Sequence, residues 1–133
     1  MWEFLDNDRD AGMIFLECFD PLVINLTAAK PSMPDDLDAL LLTESALDTL
    51  AALLLLAPSL PPDTLLASTA GVATTLPRWL QAFRAPRILC AYDADQAGDQ
   101  AADALRRNVP NCSRLRPAGA KDWNDLLRRS RPR

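Results

Sequence analysis

The chain has 133 residues, 49% of them apolar and 24% charged, with a net charge of −4 and no histidine. That is enough apolar material for one core, and one domain is the expected count. Without imidazole, a Cys/His zinc site is nearly excluded, and acid–base chemistry has to run on carboxylates, lysine, hydroxyls or a bound metal ion.

Residues 1–36 read as an N-terminal extension. Its apolar runs, Met13-Ile-Phe-Leu16 and Leu22-Val-Ile-Asn-Leu26, suit two short strands or a strand and a turn. From Leu37 the order becomes regular. Leu40–Thr43 predicts a strand and Ser45–Ala57 a helix that is apolar or small on nearly every face, ended by Pro58, Pro61 and Pro62. Thr64–Ser68 predicts the next strand, Thr69-Ala-Gly71 a turn, and Leu76–Phe83 a helix with Pro77 in its first turn. A strand over Arg87–Tyr92, a helix over Ala97–Asn108, a strand over Cys112–Arg116 and a helix over Asp122–Arg129 complete the chain. The expected fold is α/β: a compact, Rossmann-like domain of about four mostly parallel strands flanked by helices.

The acids fall at the strand ends. Asp93 and Asp95 stand where an apolar run stops and, on an extended backbone, share one face about 6 to 7 Å apart, a spacing that can bracket a divalent cation. A solvated turn is the competing reading, because Asp is a common turn former. Glu44 follows the first strand, with Asp48 one helical turn later, and Asp122 and Asp125 follow the last. In a parallel sheet these points share one edge, where open α/β sheets place their ligands. Crowded carboxylates either raise their pKa values or bind a cation, and an oxygen-only set suits Mg2+ or Mn2+. Asp93, Asp95, Asp48 and Asp122 are the candidate metal ligands. Glu44 is the candidate general acid or base, its alternative being a helix-start residue favoured by the macrodipole.

Residues 1–105 carry 16 acidic and 5 basic side chains, and residues 106–133 carry 2 and 9. Arg106, Arg107, Arg114, Arg116 and Lys121 are therefore candidates for phosphate or nucleic-acid contact, against a solvated basic surface or, for Lys121, a pair with Asp122. Residues 131–133 read as a basic tail. Trp123 could stack a base or pack against its own helix. Cys18, Cys90 and Cys112 are expected to be buried free thiols. The longest apolar stretch, Leu50–Ala57, is far short of the roughly 20 residues of a membrane span, and the N-terminus is acidic where a secretory signal is basic. The expected location is cytoplasmic, with no membrane contact.

Four motifs in order resemble the Toprim domain shared by bacterial primases, topoisomerases, certain nucleases and recombination proteins. They are Thr43-Glu44-Ser-Ala-Leu-Asp48-Thr-Leu-Ala, Ser68-Thr-Ala-Gly71-Val, Tyr92-Asp93-Ala-Asp95-Gln-Ala-Gly98 and Lys121-Asp122-Trp-Asn-Asp125. The resemblance covers about residues 37–130 and is nearest to primase-like Toprim proteins of plasmids and other mobile elements. It implies that Glu44 matches the family's glutamate, that Asp93 and Asp95 match its Mg2+-binding pair, and that Asp48 and Asp122 match further acids of the primase-type subset. It also implies DNA or RNA as partner, together with a helicase, polymerase or other replication protein. The implied activity is primase-like nucleotidyl transfer within a larger assembly. A stand-alone Mg2+-dependent nuclease and a non-catalytic scaffold are the alternatives. Topoisomerases of the family use a tyrosine nucleophile from a separate domain, whereas the single tyrosine here, Tyr92, lies in the strand itself. Gln96 stands where many primases carry a basic residue.

Overall fold

The computed structural model describes residues 3–5, 14–16, 23–25, 37–76 and 85–132. The chain runs β1 (Glu3–Leu5), β2 (Ile14–Leu16), β3 (Val23–Asn25), β4 (Ala39–Thr43), α1 (Ala46–Leu56), β5 (Thr64–Ser68), β6 (Arg87–Cys90), α2 (Gln96–Asn108), β7 (Cys112–Arg114) and α3 (Trp123–Ser130). The seven strands among the described residues form one sheet in the order β1-β2-β3-β5-β4-β6-β7. The four strands from β5 to β7 are mutually parallel, and β3, β2 and β1 extend the sheet antiparallel from β5. The α/β architecture expected from the alternating pattern is therefore present. The N-terminal segment contributes three strands, where its two apolar runs suggested at most two.

The central strands are buried at every position, as strands covered on both faces must be. Side-chain alternation divides the core in two. Leu40 and Leu42 of β4, with Leu65, Ala67, Ile88, Cys90 and Tyr92, meet Ala101, Ala102 and Leu105 of α2. Leu41, with Leu66, Leu89 and Ala91, meets Ala51 and Ala52 of α1 and Trp123 of α3 on the opposite face. The alanines let α1 lie close on the sheet. In α2, Gly98, Ala101, Ala102 and Leu105 recur at helical spacing and are the buried positions.

Element boundaries follow the caps. Ser45 caps α1, a 3-10 turn over Ala57–Ser59 ends it at Pro58, and Asp95 and Asp122 cap α2 and α3. Except for Leu76, the helix predicted over 76–83 lies outside the described residues, as does Cys18. Cys90 and Cys112 are free and buried. Among the described residues no helix is long and apolar enough to cross a membrane.

Sheet order creates the site. From β4 the chain crosses to β5 on one side, then returns to β6 on the other, and the helices after β4 and β6 pack on opposite faces. The carboxyl ends of β4 and β6 thus flank a topological switch point, where adjoining loops part and leave a crevice.

Candidate functional site

Glu44 and Asp93 face each other across this crevice. The Asp93 amide donates to Glu44 Oε1 at 3.1 Å, tying the turn after β6 to the turn after β4. Glu44 itself precedes the α1 cap, Ser45, by one residue. Its backbone is held from β5: the Gly71 amide donates to the Glu44 carbonyl at 2.8 Å, and the Thr69 amide to the Thr43 carbonyl at 2.9 Å. That turn carries Ala70 in the left-handed region, φ 54°, beside Gly71 at φ 130°. A left-handed alanine is strained, and such residues persist where surrounding bonds over-determine them.

Three of the predicted metal ligands also serve the helices. Asp95 Oδ1 accepts from the Gly98 amide at 2.8 Å, and Asp122 Oδ1 from the Asp125 amide at 2.7 Å. Asp48 Oδ2 accepts from the Ser45 hydroxyl at 2.6 Å while its Oδ1 accepts from the Asn124 amide at 3.1 Å, joining the starts of α1 and α3. Each carboxylate therefore sits at a helix N-terminus, where the partial positive charge favours it.

Asp93 differs. Its Oδ1 is the one buried side-chain polar atom without a hydrogen-bond partner among the described residues. Burial, then the charges of Glu44, Asp48, Asp122 and Asp95, push its carboxyl up to about 6. Burial also raises Glu44, against the Asp93 amide that lowers it, and Asp95 and Asp48 add to the rise. Glu44 and Asp93 thus feel the neighbouring carboxylates at the sheet edge. Among the described residues, no three acidic or cysteine side chains converge closely enough to form a ready-made ligand set. Asp48, Asp95 and Asp122 each commit at least one oxygen to a backbone amide. An orphaned carboxylate oxygen in an acidic, oxygen-only crevice still fits a hard dication that retains several of its waters.

The predicted cations divide by place. Arg116 and Lys121 are exposed and, with Ala94 and Arg129, line an open groove of about 530 Å3 beside the Asp93–Asp95 turn, whose Ala94 amide donates to the Lys121 carbonyl at 2.6 Å. Arg116 pairs with Asp99 at 3.3 Å and Arg129 with Asp125 at 2.6 Å. Arg106 and Arg107 lie near the far end of α2, about 15 Å along the helix from its start at 1.5 Å per residue, in a separate groove with Pro110. Arg114 is turned inward, its side chain 13% exposed.

Two aromatic residues are settled by their partners. Trp123 is buried and donates from Nε1 to the Ala91 carbonyl at 2.8 Å, so it packs and does not stack a base. Tyr92 is buried, its hydroxyl donates to the Ala73 carbonyl at 2.7 Å, and burial pushes its phenol up to about 12, which makes it no nucleophile.

Sequence reasoning missed Arg129, Gly98 and the inward role of Arg114. Gly98 had a signal: a small residue three positions after Asp95 is where an N-cap accepts its amide. A Cβ there would lie 2.1 Å from the Asp93 carbonyl oxygen.

Residues 41–127 match a family model described as Toprim-like, a span that includes Glu44, Asp48, Asp93, Asp95 and Asp122. Domains of that kind generally bind Mg2+ and act in nucleic-acid metabolism. Comparison with curated proteins and with solved structures returned no match.

Proposed function

The chain belongs to the Toprim-like family, and from that premise we propose that it performs primase-like nucleotidyl transfer on DNA or RNA as part of a larger replication assembly. The observation that carries the reading is the buried, unpartnered Asp93 Oδ1 in a crevice crowded by four other carboxylates. Asp93 and Asp95 would hold Mg2+ or Mn2+ directly. Asp48, with both oxygens bonded to protein, and Asp122, which like Asp95 gives one oxygen to a helix cap, contribute through their charge and through ordered water. The ion, when bound, supplies polarisation of phosphate oxygens and neutralisation of developing charge.

Glu44 is the general acid or base of this reading. Burial holds its carboxyl above the ordinary range, and its contact with the Asp93 amide keeps it at the metal side of the crevice. Arg116, Lys121 and Arg129 line the adjoining groove and would receive the phosphates of a nucleotide or strand. A helicase or polymerase is the class of partner that such an assembly requires.

A non-catalytic scaffold is the second reading, favoured by the double engagement of Asp48, which leaves both its oxygens bonded to protein. Incubation with single-stranded DNA, nucleotides and Mg2+ separates the readings. Primase-like transfer predicts nucleotide incorporation that Glu44→Gln lowers by about 10²-fold or more. Strand degradation without incorporation would make the chain a nuclease. Inactivity in both, with DNA binding unaltered in Glu44→Gln, would make it a scaffold.

A further inference from the structure

The backbone between the end of β6 and the start of α2 leaves the sheet before it reaches Asp93, and its carbonyls lose their ladder partners. A buried carbonyl without a partner is costly, so each must be met elsewhere. On one side the Trp123 indole takes the Ala91 carbonyl. On the other, Arg114 takes those of Tyr92 and Asp93. Its Nη1 donates to the Tyr92 carbonyl at 2.6 Å and its Nη2 to the Asp93 carbonyl at 2.6 Å, while Nη1 also reaches, at 3.3 Å, the Cys90 carbonyl that the Leu115 amide already meets at 2.9 Å. Nη2 and Nε also reach Asp99 Oδ1 in the first turn of α2, at 2.9 and 3.3 Å.

We infer that Arg114 is the positioning residue of the Asp93–Asp95 turn, a guanidinium that replaces the missing strand partner and joins β6, β7 and α2 at the acidic crevice. All three of its nitrogens are engaged, so it offers nothing to a phosphate. With the Asp93 amide bonded to Glu44 and the Asp93 carbonyl to Arg114, both backbone polar groups of Asp93 are fixed, and its carboxylate has a set direction. Asp99 completes the frame by fixing α2, whose cap is Asp95. Lysine keeps the charge but cannot fork to two carbonyls and a carboxylate at once.

The consequence for metal uptake rests on the metal-binding reading above; the positioning itself does not. Arg114→Lys is expected to unfold cooperatively like wild type, to lose about 10 to 100-fold in Mg2+ affinity by titration calorimetry, and to exchange the Asp93 and Gly98 amide hydrogens faster without metal. Arg114→Ala is expected to recover slow exchange at those amides on addition of millimolar ethylguanidinium. Should Arg114→Lys fail to fold, Asp99→Asn, which weakens the one charged partner of the fork, must show the same faster exchange. Wild-type exchange at Asp93 and Gly98 in Arg114→Lys, or in Asp99→Asn if the lysine variant does not fold, overturns the inference. If wild type takes up no Mg2+, the metal reading fails, and exchange at Asp93 and Gly98 alone decides the role of Arg114.

Discussion

Asp93 couples the crevice to the stability of the fold through its proton. Its carboxyl is raised from 3.8 to about 6 by burial and by its acidic neighbours. A raised carboxyl stabilises the folded chain fully below its unfolded value, and that contribution is lost as pH rises through the folded value. The metal-free protein is therefore expected to lose thermal stability between about pH 4 and pH 6.5, with Glu44, raised in the same direction, adding to the trend. Asp93→Asn should flatten this profile and melt higher than wild type above pH 6, while millimolar Mg2+ should raise the melting temperature of wild type alone. Thermal unfolding followed by circular dichroism across that range checks both. The acidic pattern was legible at this scale, since Glu44, Asp48, Asp93, Asp95 and Asp122 stand at recognisable junctions. The division of labour among them was not: which carboxylate caps a helix and which stays unpartnered depends on how the helices dock.

At the scale of elements, β4, β5 and α2 came through in the sequence because leucine runs, proline stops and helical spacing all agree there. The run Ile88–Tyr92 looks like one strand, yet β6 ends at Cys90. Ala91 and Tyr92 keep their burial while Trp123 and Arg114 take the place of a neighbouring strand, which are tertiary contacts no local pattern contains. β1 was equally hidden, because a three-residue edge strand exists only through pairing with β2. The approach of α2 to the metal turn is set by Gly98. In Gly98→Ala the gain in helix propensity is about 1 kcal/mol, against a Cβ placed 2.1 Å from the Asp93 carbonyl oxygen, which neither backbone can yield without moving. The overlap wins, and a net loss of about 1 to 3 kcal/mol is expected from denaturant unfolding, with Mg2+ uptake weakened in parallel.

At the scale of the molecule, charge is sorted by position in the chain and, among the described residues, by place in the fold. Glu44, Asp48, Asp93, Asp95 and Asp122 gather at the switch point while three exposed cations of the last third, Arg116, Lys121 and Arg129, line the groove next to it. An ion at Asp93 and Asp95 would then lie beside cations able to hold a phosphodiester, an arrangement suited to polyanionic substrates. Under the proposed function, Arg116→Ala with Lys121→Ala should weaken binding of single-stranded DNA and flatten its dependence on salt by a slope of about 1.4, for two lost phosphate contacts at about 0.7 each. Fluorescence anisotropy over a salt series measures this. The central claim, that Asp93 and Asp95 form a hard-metal site, is tested most directly by isothermal titration of Mg2+ into wild type and into the Asp93→Ala/Asp95→Ala double variant. A saturable heat in wild type that is absent from the double variant is the predicted result, and equal heats in the two proteins would contradict it.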